Sequence, residues 1–173
     1  MRHEVAKRAC ALLAGGITAI VVLAAVPASM AASPAATAGT CVRRQLAVKA
    51  SGGEGAAGTI YNKWVLTNVS KTRCTLSGYP SIALYGKRGR PIPTTVKRDL
   101  PPGPATVTLA PNGSARFLTS YSDVPSSRRP CPASSVMQIT PPGVAKSLFI
   151  PAVLGPCRGL VHVSAVRARI RRG

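Results

Sequence analysis

Few side chains in this sequence could do chemistry. Beyond residue 31 there is one histidine, His162, and three carboxylates, Glu54, Asp99 and Asp123. A Ser-His-Asp hydrolase needs a base and an orienting acid beside its serine. By strand alternation His162 lies opposite Val161 and Val163 and is expected to face solvent. Asp99 and Asp123 fall in turn-like stretches, and no Gly-x-Ser-x-Gly run occurs. Glycoside hydrolysis needs two facing carboxylates, and Glu54, in a Gly-rich stretch read as a solvated turn, is a poor partner for either aspartate. The run Gly52-Gly53-Glu54-Gly55 lacks the Lys-Ser/Thr and helix of a phosphate loop. No catalytic residue, cofactor or metal site is therefore expected, and the chain reads as a non-enzyme.

The basic side chains are the one group in excess. The chain has 173 residues, with 23 Lys and Arg against 4 Asp and Glu, and a net charge of +19. Outside residues 1–31 there remain 20 basic side chains against three acidic ones, a net +17, so the excess belongs to the body of the protein. The basic residues cluster, most densely at Lys87, Arg88 and Arg90 and at Arg167, Arg169, Arg171 and Arg172. In the latter group Val166, Ala168 and Ile170 alternate with arginines, so an extended tail would show one cationic side. Such charge raises encounter rates with polyanions and is screened by salt. Anionic cell-envelope polymers or lipid head groups are the expected partners. No zinc finger, helix-turn-helix pattern or aromatic platform accompanies the charge, so specific nucleic-acid binding is not expected. The competing reading is a protein-interaction or inhibitor module on which the charge is incidental.

Two features set the compartment. Arg2, His3, Lys7 and Arg8 precede an uncharged stretch, residues 9–26, and small residues at Ser29 and Ala31 follow. This is the layout of a secretory signal, with cleavage expected after Ala31 and no membrane span left in the mature chain. Retention as an anchor is the alternative, because the uncharged stretch reaches the lower end of the ~17–25 residues that span a bilayer. Cys10 lies within the leader. Cys41, Cys74, Cys131 and Cys157 remain, an even number without C-x-x-C spacing, and read as two disulfides of an exported protein rather than a zinc site. Four cysteines allow three pairings, and spacing does not choose among them. The pairing expected is Cys41–Cys157, tying the start of the domain to its final strand, with Cys74–Cys131 pinning a mid-chain loop.

The elements that carry these residues read as strands. Runs at 45–50, 59–69, 81–85, 106–109, 115–121, 136–140, 146–153 and 160–165 are rich in β-formers and separated by Gly, Pro, Asn and Ser. The longest places Ile60, Trp64 and Leu66 on one face and Tyr61, Lys63 and Thr67 on the other. Trp64, Phe117 and Tyr121 read as core. Prolines at 91, 93, 101, 102, 104, 111, 141 and 142 fall between runs, where a missing N–H does least harm. Residues 86–105 read as an irregular crossover or a loop around a weak edge strand. Gly and Pro number 16 each, aromatic residues are 4%, and no helical stripe is visible. The expected fold is all-β, an immunoglobulin-like antiparallel β-sandwich with two disulfides behind a signal peptide. The expected divisions are a signal at 1–31, a flexible linker at 32–40, the sandwich at 41–167 and a basic tail at 168–173.

Several of these segments together carry a resemblance. Gly58-Thr59 precedes the long strand, which contains Trp64-Val65-Leu66-Thr67-Asn68-Val69-Ser70. Cys74-Thr75-Leu76-Ser77-Gly78-Tyr79-Pro80, Leu109-Ala110-Pro111-Asn112-Gly113-Ser114-Ala115 and Pro141-Pro142-Gly143 follow, with Cys131 and Cys157. From about Cys41 to Val166 the chain resembles the secreted actinobacterial domain-of-unknown-function family 4232. The resemblance implies an exported, disulfide-linked β-sandwich of the actinobacterial envelope or culture fluid, and no activity. The strong basic charge and the Arg-rich end depart from that family's usual picture. On physical grounds Asn68 should hydrogen-bond turn backbone, Gly78 should supply a positive φ or a close approach, and Pro80 should start a strand.

Overall fold

A computed structural model describes residues 37–101 and 103–169. The expected signal, most of the linker, and Arg171 and Arg172 lie outside the described residues. The elements in chain order are β1 (Leu46–Ala56), β2 (Thr59–Asn68), β3 (Cys74–Ser77), β4 (Ser81–Tyr85), β5 (Pro91–Ile92), β6 (Thr95–Leu100), β7 (Thr106–Leu109), β8 (Ser114–Ser122), β9 (Val136–Thr140), β10 (Leu148–Pro151), β11 (Leu160–Ser164) and β12 (Arg167–Ala168). Helix is confined to three short 3-10 turns among the described residues, and no described helix is long and apolar enough to cross a membrane.

Three sheets form. One runs β1-β2-β8-β11-β6, with β12 also on β8; the second runs β10-β9-β4-β5; the third pairs β3 with β7. All pairings between these strands are antiparallel except β11 with β6, which is parallel. One buried cluster draws on all three sheets: Trp64, Leu66, Phe117, Val161 and Val163 from the first, Leu84, Met137 and Ile139 from the second, Leu76 and Leu109 from the third.

Alternation explains which residues enter that cluster. In β8 the burial pattern puts Ala115, Phe117, Thr119 and Tyr121 inward. Trp64 lies opposite Phe117 in the β2–β8 ladder, their rings stack with centroids 6.4 Å apart, and the indole Nε1 donates to Thr119 Oγ1 at 2.9 Å. The indole thus buries its area without an orphan donor. The β1–β2 hairpin turns on Ala57 (φ 46°) and Gly58 (φ 76°). Two consecutive positive φ values give the turn whose twist matches the flanking strands.

Asn68 closes β2 and is fully buried. Its Nδ2 donates to the carbonyls of Thr72 (2.7 Å), Leu109 (3.0 Å) and Ala110 (3.3 Å), and its Oδ1 accepts from Ser70 N (3.0 Å) and Ser70 Oγ (2.7 Å). Its backbone bonds Gly113 O and Asn112 N across the β7–β8 turn. The turn role expected of Asn68 is present, and it reaches further, to a second turn. Gly78 has φ 110°, as expected.

Several expectations need correction. The disulfides are Cys41–Cys74 and Cys131–Cys157, not Cys41–Cys157 and Cys74–Cys131. The cause is the placement of β3. Cys41 N donates to Thr75 O, Thr75 N donates to Gly39 O, and Thr40 bridges Thr75, which sets Cys41 beside Cys74. The same contacts hold Gly39 and Thr40, placed in the expected linker, against β3. Cys157, just after β10, closes on Cys131, just before β9. β1 runs through Ser51-Gly52-Gly53, where a turn was expected, by a register shift between Ala50 and Gly53. Glu54 is therefore a strand residue. Residues 86–105, read as an irregular crossover or a loop around a weak edge strand, hold two edge strands, β5 and β6, so Asp99 lies in a strand rather than a turn, and Pro91 opens β5 opposite Tyr85.

Asn68→Ala should lower stability by roughly 3 kcal/mol, because the substitution strands buried carbonyls and the Ser70 N–H; urea denaturation reads this. Peptide mapping of the unreduced protein should recover Cys41 linked to Cys74 and Cys131 linked to Cys157, each closure being worth about 3–4 kcal/mol through the unfolded chain.

Candidate functional site

The residues expected to meet polyanions are split between sheets. Lys87, Arg88 and Arg90 are exposed around the 3-10 turn Lys87–Gly89 between β4 and β5, at the edge of the four-stranded sheet. Arg167 lies in β12 on the six-stranded sheet, and Arg169 follows it, its N–H bonded to Ser114 O at 3.1 Å. Val166 is fully buried, and Ala168, the first residue of the expected tail, is docked in β12.

Acidic residues hardly oppose this charge. Glu54 bonds Lys63 across the β1–β2 hairpin. The Lys63 hydrogen bond, then its charge, hold the Glu54 carboxyl below the usual carboxylate range, against a small opposing effect of desolvation. Asp99 bonds His162. These are the only close contacts between a carboxylate and a basic side chain among the described residues, so Lys63 is the one Lys or Arg engaged with a carboxylate there.

His162 and Asp99 form a pair that alternation alone did not foresee. His162 Nδ1 lies 2.8 and 2.9 Å from the two Asp99 oxygens. The cause is a register irregularity in the parallel ladder. His162 faces Lys97 but Ser164 faces Leu100, so β6 carries an extra residue, and such bulges re-aim side chains. Val161 and Val163 point into the core as expected. A carboxylate on Nδ1 is how an imidazole base is oriented, but no serine is hydrogen-bonded to His162 among the described residues. Ser120 stands opposite it in the ladder and is itself only 4% exposed.

The same bulge leaves Arg98 beside a groove of about 550 Å³, lined also by Ser77, Gly78, Tyr79, Ser81 and residues 140–145. The Arg98 Nη2 donates to Ser81 Oγ at 3.5 Å. Among the described residues no three His, Cys, Asp or Glu side chains gather as metal ligands would.

Sequence reasoning missed one cationic arrangement. Val65 pairs with Lys49 on one side and Arg116 on the other, and Arg116 pairs with Arg167. Lys49, Val65, Arg116 and Arg167 therefore form one row across β1, β2, β8 and β12. With Phe117 read as core, its neighbour Arg116 falls on the opposite face, but nothing short of the strand register could align it with residues 49 and 167.

The Glu54–Lys63 pair predicts a titration. A carboxyl held down in the folded state adds stability above its unfolded range, and that stability is lost as pH falls through the folded midpoint. The pair is exposed and screened, so the gain is small. In a carboxyl-detected NMR titration Glu54 should titrate below the normal range, and Lys63→Met should return it there.

The model of one family, described as a domain of unknown function (DUF4232), matches residues 41–167. No curated protein and no solved structure matches the chain.

Proposed function

The chain belongs to the DUF4232 family, a domain of unknown function, and from that premise we propose that it is an exported, non-enzymatic β-sandwich of immunoglobulin-like type that associates with anionic components of the cell envelope through its basic surface. The observation that carries this reading is the near absence of internal neutralisation: the described Lys and Arg side chains are almost all exposed, and only Lys63 meets a carboxylate. Charge left unpaired in this way acts at a distance, and it acts on any dense polyanion. Export is supported by the leader-like residues 1–31 and by two disulfides, which persist in oxidising compartments. The sandwich description is supported by one core drawing on separate sheets. The non-enzymatic reading rests on the sequence, which offers one histidine and three carboxylates beyond residue 31 and no Gly-x-Ser-x-Gly run.

A second reading, a module that binds one protein partner, is favoured by the groove beside Arg98. Cross-linking on the native cell surface that returns a single dominant protein would support it over the first.

Incubation of the purified protein with isolated cell wall tests the electrostatic reading. Retention is expected at ~0.01 M salt and release at ~1 M, as the screening length falls from about 30 Å to about 3 Å. Retention indifferent to salt, or none at low salt, rejects it.

A further inference from the structure

The outward face of the six-stranded sheet holds an arrangement that net charge alone does not explain. Arg116 and Arg167 are directly opposed on adjacent antiparallel strands. Residues so placed have Cα atoms roughly 4.5–5.5 Å apart, and like charges there are destabilising. No carboxylate pairs with either among the described residues. The Nε of Arg167 is buried and without a hydrogen-bond partner among the described residues, a state that costs free energy and that a turn of the side chain toward an incoming acceptor would relieve. Two guanidinium groups side by side, one with an unused donor, match the several acceptor oxygens of a phosphate group.

The row continues past this pair. Val65 lies next to Arg116 and Lys49 next to Val65. Val65 is 2% exposed yet takes no part in the core cluster, and its row neighbours offer aliphatic stems that can lie over it while their charged heads stay in water. Strands are about 4.8 Å apart, so Lys49 sits roughly 10 Å from Arg116 along a line perpendicular to the strands. The cations thus form a line with a gap.

We propose that this face binds a linear phosphate-bearing polymer, with Arg116 and Arg167 clamping one phosphate and Lys49 meeting a later one on the same chain. The inference rests on the electrostatic reading above and deepens it by naming the face and the ligand chemistry. The exposed cluster Lys87, Arg88 and Arg90 carries as many cations, but on a turn and without an orphaned donor among the described residues.

Inorganic polyphosphate is the probe, with phosphatidylglycerol vesicles as the membrane arm, titrated against the purified protein at several salt concentrations. The double variant Arg116→Gln/Arg167→Gln is compared with the triple variant Lys87→Gln/Arg88→Gln/Arg90→Gln. The sheet variant removes fewer charges, yet it should weaken polyphosphate binding by about tenfold or more, the effect of losing charge-assisted contacts, while the loop variant weakens it less. Arg116→Lys/Arg167→Lys should recover only part of the affinity, since it keeps the charge without the fork. The midpoint of thermal unfolding of the sheet variant should stay level or rise, because a repulsive pair is removed. Binding of neither polyphosphate nor vesicles by the parent protein at low salt overturns both this proposal and the reading beneath it. Binding that the loop variant loses as much as the sheet variant, or full affinity in the double-lysine variant, overturns the clamp and leaves the general reading standing. Capture by vesicles but not by polyphosphate overturns the polymer.

Discussion

The amide of Asn68 is the constraint from which the rest follows. A buried primary amide is costly unless both ends are satisfied, and here the satisfying groups come from two separate turns. Thr72 and Ser70 lie on the way from β2 to β3; Leu109 and Ala110 lie at the end of β7. One side chain therefore fixes where β2 stops, where β3 leaves, and how the two-stranded sheet approaches the six-stranded one. With the end of β2 pinned to the turn that opens β8, the ladder between these two strands is held in a single register.

That register decides both faces of the sheet at once. It sets Trp64 against Phe117 on the inside and Val65 against Arg116 on the outside. A slip of one residue would move every side chain to the other face, driving a guanidinium inward and an indole into water. The cationic row is thus a by-product of the same alternation that fills the core, extended by β1 and β12 on either side.

Much of this was legible residue by residue. β4, β7 and β9 have the ends expected from their alternation and flanking turns. Trp64, Phe117 and Tyr121 are buried, because aromatic residues on the apolar side of a long strand have few other places to go. What could not be read depends on partners distant in sequence. β6 is largely exposed and contains Lys97, Arg98 and Asp99, so it shows no apolar alternation; only its parallel neighbour β11 makes it a strand. β3 is short and begins at a cysteine, and without its position the three disulfide pairings were equivalent. Alternation put Arg116 on the outer side, but which cations would stand next to it across the sheet is a property of register, which a one-dimensional pattern does not contain.

The two cystines are sequential rather than interleaved, and this has a kinetic meaning. If the chain is delivered N-terminus first to an oxidising compartment, as the proposed export would have it, Cys74 meets Cys41 before Cys131 arrives. Cys131 and Cys157 then find each other with the earlier thiols already consumed. Order of arrival and native connectivity coincide, so the covalent framework can be completed without a disulfide isomerase having to undo a wrong bond.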